Sequence, residues 1–112
     1  MEVVSLDCDP DAADRAAPIV KTYGERFRFH DLSFQCLDEV TSEGELDGVL
    51  FDLGISSFQL SEAKKGFSFR LDAPLDMRLN PREGMAAADF LETATRESLV
   101  RAVREYGEER RW

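Results

Sequence analysis

The apolar positions of this chain fall into short runs of two kinds, some alternating or β-branched and some spaced at helical intervals, with polar turns between them. Val3, Val4, Ser5 and Leu6 form a run that stops at Asp7, the pattern of a buried parallel strand reaching its carboxyl edge. A helix start follows directly. Asp9 suits the N-cap, Pro10 the first helical position, and Asp11 sets negative charge against the positive end of the helix dipole. Pro18 lacks an N–H and crowds the preceding turn, so it is expected to bend or interrupt this helix. Gly24 is expected to close it.

Phe27 and Phe29 alternate with polar positions and predict a second strand running to His30, followed by a loop through Asp31, Leu32 and Ser33 and a short helix from Phe34 to Val40. Thr41 to Leu46 is polar, holds Gly44 and reads as a turn. Asp47 to Asp52 then predicts a third strand, again ending on an aspartate. From Leu53 to Pro81 there is little periodicity, and a loop of that length in a small domain is usually functional. Helices are predicted from Met85 to Thr93 and again from Thr95, where Leu99, Ala102, Val103 and Tyr106 share one face and Gly107 offers a stop.

Composition sharpens this picture without changing it. The 112 residues are 43% apolar and 33% charged, which provides material for a core and differs from a disordered tail. The net charge of −9 argues against a free-standing binder that neutralises phosphates. That charge is uneven: residues 1–60 hold 4 basic and 13 acidic side chains, whereas residues 61–112 hold 10 of each. No apolar run approaches the roughly 18–20 residues of a membrane span, and the N-terminus lacks a signal-peptide layout, so the expected location is cytoplasmic. Cys8 and Cys36 stand far apart without metal-ligand spacing, which indicates neither a zinc site nor a disulfide framework.

The alternation of strand and helix implies an α/β fold with parallel strands and crossover helices, in which ligands bind beyond the carboxyl ends of the strands. Asp7, Phe34 and Asp52 fall there. An acidic residue in such a place commonly accepts hydrogen bonds from ribose hydroxyls, which suits Asp7. Phe34 has the flat face an adenine lies against, and Asp52 the charge to hold a cationic or amino-bearing ligand. The plainer alternatives are solvated strand caps for the two aspartates and core packing for Phe34. His30, the one histidine, has no second candidate ligand beside it in sequence and reads as a strand-end residue.

The strings Asp52-Leu-Gly-Ile-Ser-Ser-Phe-Gln-Leu60, Gly66-Phe-Ser-Phe-Arg70, Asp72-Ala-Pro-Leu-Asp-Met-Arg78 and Glu105-Tyr-Gly-Glu-Glu-Arg110 closely resemble the bacterial ribosomal RNA small subunit methyltransferase H family, also called the MraW family. The resemblance runs from Val3 to Arg110. It implies a partial Rossmann-like class I methyltransferase sheet over residues 1–60, followed over residues 61–112 by the start of a helical insertion domain that meets RNA. It implies an enzyme that uses S-adenosylmethionine to methylate the exocyclic N4 of a cytidine in small-subunit (16S) ribosomal RNA, with that RNA or the 30S subunit as partner. Matched residue by residue, it puts Asp7 on the cofactor ribose, Phe34 beside the adenine, and Asp52 and Gln59 at the methionine end.

An exocyclic amine conjugated to its ring is a poor nucleophile, and a carboxylate or carbonyl that accepts its proton helps; Asp52 and the backbone of Leu53 to Ser57 are the candidates. Arg70 and Arg78 are expected near RNA phosphates, with Phe67 or Phe69 either against an unstacked base or as packing anchors of the loop. Asp72 and Asp76 are expected to pair with Arg70 and Arg78 or to be solvated.

Members of the family begin with a strand and a glycine-rich turn around the methionine part of the cofactor, which this sequence does not show, and Phe58 stands where the family has proline. A competing expectation is therefore a catalytically inactive, truncated homologue or interaction module that needs another chain to complete its fold. A half-sheet with an unpaired edge also predicts self-association.

Overall fold

The structure, a computed structural model, describes residues 1–109. It divides into two units, one spanning Met1–Gly54 and the other running from Ile55 onward.

In the first unit Val3–Leu6 (β1) pairs in parallel with Phe27–His30 (β2), Val3 standing opposite Phe27 and Leu6 opposite His30. Between them runs the helix Pro10–Tyr23 (α1), which packs against β2 and buries Ala12 and Ala16, one turn apart. Asp9 caps α1 as expected: its backbone is extended and its carboxylate accepts from the Asp11 N–H at 3.0 Å. Gly24, at φ 56°, ends the helix in a conformation that side chains resist, and a 3-10 turn over Gly24–Arg26 leads into β2.

Pro18 does not interrupt α1, which continues unbroken through it. The carbonyl that loses its donor is that of Asp14, and both residues are exposed, so the missing bond leaves no buried group unpaired. After β2 the chain turns through Phe34–Cys36, with Ser33 Oγ accepting from the Gln35 N–H at 3.3 Å, into the short helix Leu37–Val40 (α2).

The third strand expected over residues 47–52 does not form, and the sheet among the described residues has two strands. Strand propensity is realised only by pairing, and this segment pairs with neither open edge of the β1–β2 ribbon. Val49, Leu50 and Phe51 are left exposed. The α/β class with parallel strands therefore holds, in a smaller sheet than the pattern predicts.

The second unit holds three α-helices among the described residues: Ser57–Ser61 (α3), Ala87–Thr93 (α4) and Arg96–Arg101 (α5). Helix α3 lies inside the stretch expected to be loop. Its signal is present in the sequence as Ser56-x-x-Gln59, a capping box: Ser56 Oγ accepts from the Gln59 N–H at 3.2 Å, and Gln59 Oε1 accepts from the Ser56 N–H at 2.8 Å. Thr95 caps α5 through its Oγ1, which accepts from the Ser98 N–H at 3.2 Å.

Beyond Arg101 the helix widens into a π turn, Ala102–Tyr106, and stops at Gly107. The extra residue per turn rotates the following side chains, so Val103 and Tyr106 are exposed and do not continue the face of Leu99 and Ala102 as a uniform α-helix would place them. No helix among the described residues is long and apolar enough to cross a membrane.

Candidate functional site

Within the first unit Asp7 and Phe34, two of the residues that the sequence singled out, follow the carboxyl ends of the parallel pair. Asp7 follows β1 immediately, and its backbone N–H donates to the His30 carbonyl at the end of β2 at 3.2 Å, which extends the ladder by one residue. Its side chain is held from the other direction, because Asp7 Oδ1 accepts from the Asp9 N–H at 2.9 Å. Asp9 is itself fully buried, with its carboxylate 3.5 Å from the Arg15 guanidinium. One acid thus caps the helix and, through its backbone, orients the next. Asp7 Oδ2 makes no hydrogen bond among the described residues and remains available as an acceptor.

Phe34 sits four residues beyond β2, half exposed, and its ring meets Phe51 edge-on with centroids 5.9 Å apart at 82°. That contact ties the segment ending in Asp52 to the same edge. Asp52 is exposed and makes no ion pair among the described residues. His30 Nε2 is buried without a hydrogen-bond partner among the described residues, an unusual state for a buried ring nitrogen.

Gln59 belongs to the second unit and is buried, with its carbonyl oxygen engaged in the capping box of α3. Here local structure accounts for a residue that the family resemblance placed on the cofactor.

The Gly66 and Pro74-to-Arg78 strings are brought together by the backbone. Gly66 takes the left-handed conformation at φ 70°, and a Cβ there would collide with the Pro74 carbonyl oxygen. The Met77 N–H donates to the Lys65 carbonyl at 2.9 Å, with Met77 itself at φ 61°. The Asp76 and Leu75 carbonyls accept from the Ala87 and Ala88 N–H groups at 2.8 and 2.9 Å, satisfying two donors that the first turn of α4 cannot satisfy internally. The Asp76 carboxylate then grips Arg78 in a two-pronged pair, Nε to Oδ1 at 2.8 Å and Nη2 to Oδ2 at 2.7 Å, while Arg78 Nη1 donates to the Gly84 carbonyl at 3.2 Å. The Arg78 hydrogen bond lowers the pKa of the Asp76 carboxyl from 3.8 to about 2, and the same pairing raises that of the Arg78 guanidinium.

Arg78 is therefore a structural clasp in this loop, supported by Lys65, Gly66 and Asp76. The sequence anticipates the Asp76–Arg78 pairing but not the parts of Lys65 and Gly66, which rest on backbone contacts that the fold brings about. By contrast Arg70 makes no ion pair among the described residues, and its guanidinium carbon lies 5.9 Å from the centroid of the exposed Phe69 ring.

Over residues 1–112 the sequence matches the MraW methylase family. It is 41% identical over 112 residues to the ribosomal RNA small subunit methyltransferase H of Heliobacterium modesticaldum, covering 96% of this chain and 36% of that protein. The protein of the same name from Thioalkalivibrio sulfidiphilus is 46% identical, with 96% and 35% covered, and that from Mycobacterium bovis is 39% identical, with 98% and 29% covered. The chain thus spans about a third of the length of the curated relatives it matches. The Arg110 that closes the Glu105-to-Arg110 string lies outside the described residues.

Proposed function

The chain belongs to the MraW methylase family over its whole length, and from that premise we propose that it serves an S-adenosylmethionine-dependent methyltransferase acting on the N4 of a cytidine in small-subunit ribosomal RNA, in the cytoplasm. The observation that carries this reading is the agreement between family membership and the carboxyl edge of β1 and β2. There Asp7, following β1, is oriented by Asp9 with one oxygen left to accept, and Phe34, following β2, keeps its ring half exposed. A free acceptor and an accessible aromatic face are what a ribose diol and an adenine require. The thirteen acidic side chains of residues 1–60 also suit a cationic cofactor.

When bound, S-adenosylmethionine supplies an electrophilic methyl group on its sulfonium. Asp7 would accept hydrogen bonds from the ribose hydroxyls, and Phe34 would lie against the adenine. Asp52 is proposed at the methionine end, where it would take the proton of the cytidine N4 amine and turn the nitrogen lone pair outward. Alignment of the reacting groups and exclusion of water make up the rest of the catalysis. Of the two arginines of the loop, Arg70 is proposed to meet RNA, because Arg78 is engaged by Asp76.

Calorimetric titration of the chain with S-adenosylmethionine tests the site. Asp7→Ala removes charge-assisted hydrogen bonds and is expected to weaken binding about 10- to 100-fold. Methylation of small-subunit particles with labelled methyl donor, followed by nucleoside analysis, tests the reaction. Absence of cofactor binding by the folded chain, or methyl transfer to another atom, overturns the reading.

A further inference from the structure

The loop after Gly66 presents one side chain that no packing explains. Phe69 is 96% exposed, whereas its neighbour Phe67 is half-buried. The two aromatics that the sequence treats alike are thereby separated, Phe67 partly covered and Phe69 held out into solvent. Arg70 lies over the ring, its guanidinium carbon 5.9 Å from the centroid, within the range of a cation–π contact. The turn that carries the pair is braced, because the Arg70 N–H donates to Ser68 Oγ at 3.2 Å. The base of the loop is fixed by the left-handed Gly66 and by the Met77-to-Lys65 backbone bond.

From this geometry we infer that Phe69 and Arg70 form a stacking platform for an unpaired base of single-stranded RNA, Phe69 offering its ring face and Arg70 its guanidinium plane and positive charge. The inference rests on the proposed ribosomal RNA substrate and assigns this chain's contact with it. Unpaired bases are recognised by stacking on aromatic rings and arginine planes, and such contacts tolerate any base because every base has a π face. Charge favours this occupant: the acidic excess of the chain lies in residues 1–60, and Arg70 makes no ion pair among the described residues. A braced turn also reduces the ordering that binding would otherwise require.

The test uses the 112-residue chain and a short single-stranded oligoribonucleotide carrying 2-aminopurine, whose fluorescence is quenched by stacking, with the same sequence as a duplex for comparison. The wild-type chain is expected to quench the probe and to prefer the single strand. Phe69→Ala and Phe69→Leu are expected to weaken binding about 5- to 100-fold, since alanine removes the ring and leucine keeps apolar bulk without a π face, and Phe69→Trp is expected to restore it. The ring buries almost nothing, so these variants are expected to keep the wild-type circular dichroism spectrum. RNA binding unchanged in Phe69→Leu, or lost in Phe69→Trp, overturns the platform while leaving the ribosomal RNA reading in place. Failure of the wild-type chain to bind any RNA overturns both.

Discussion

Asp9 shows how much one buried side chain can organise in a small fold. It caps α1, faces Arg15, and through its backbone N–H orients Asp7, the proposed ribose ligand. Asp76 plays a comparable part in the second unit, where its pairing with Arg78 lowers its carboxyl from 3.8 to about 2. A folded-state value below the unfolded one contributes stability above the unfolded value, and that contribution fades as pH falls toward the folded value. Thermal unfolding of the wild type is therefore expected to lose stability between about pH 4 and pH 2 relative to Asp76→Asn, whose amide does not titrate, and the gap between their melting temperatures is expected to shrink across that window. A gap that stays constant through it would remove Asp76 from the pH response.

The elements divide by where their hydrogen bonds come from. Helix α1 and strands β1 and β2 follow the sequence pattern because Asp9, Pro10 and Gly24 mark the two ends of one helix and the two strands find each other across it. The fate of residues 47–52 was not legible, since their composition is that of a strand and the missing ladder is a property of what lies beside them. The π turn after α5 was hidden for a related reason: the apolar spacing is the same on paper whether the backbone bonds reach back four residues or five. Helix α4 depends on a distant segment, the Pro74-to-Arg78 string whose carbonyls satisfy its first N–H groups. Gly66→Ala is expected to disturb that arrangement by more than about 1 kcal/mol, combining a left-handed φ with a collision against the Pro74 carbonyl, and urea unfolding followed by far-ultraviolet circular dichroism would measure it. A midpoint equal to that of the wild type would show that the loop yields readily.

At the scale of the whole molecule, the described residues bury few apolar side chains, with Ala12 and Ala16 as the buried hydrophobic positions, while Leu50 is 92% exposed. Open strand edges and exposed apolar segments recruit other chains, so size-exclusion chromatography is expected to show concentration-dependent association that Leu50→Lys reduces without altering helix content; a dispersed wild-type monomer at all concentrations would refute this. The sequence by itself determined the caps, the paired strands, the uneven charge and the family, because each depends on residue type over short spans or on strings that chance does not assemble. Only the tertiary structure decided that Arg78 also reaches the Gly84 carbonyl, that Gly66 lies against the Pro74 carbonyl, that Phe69 stands free where Phe67 is half-buried, and that residues 47–52 form no strand. Those outcomes turn on which groups come within hydrogen-bonding or packing distance once the chain has folded, and side-chain chemistry alone does not specify its partner.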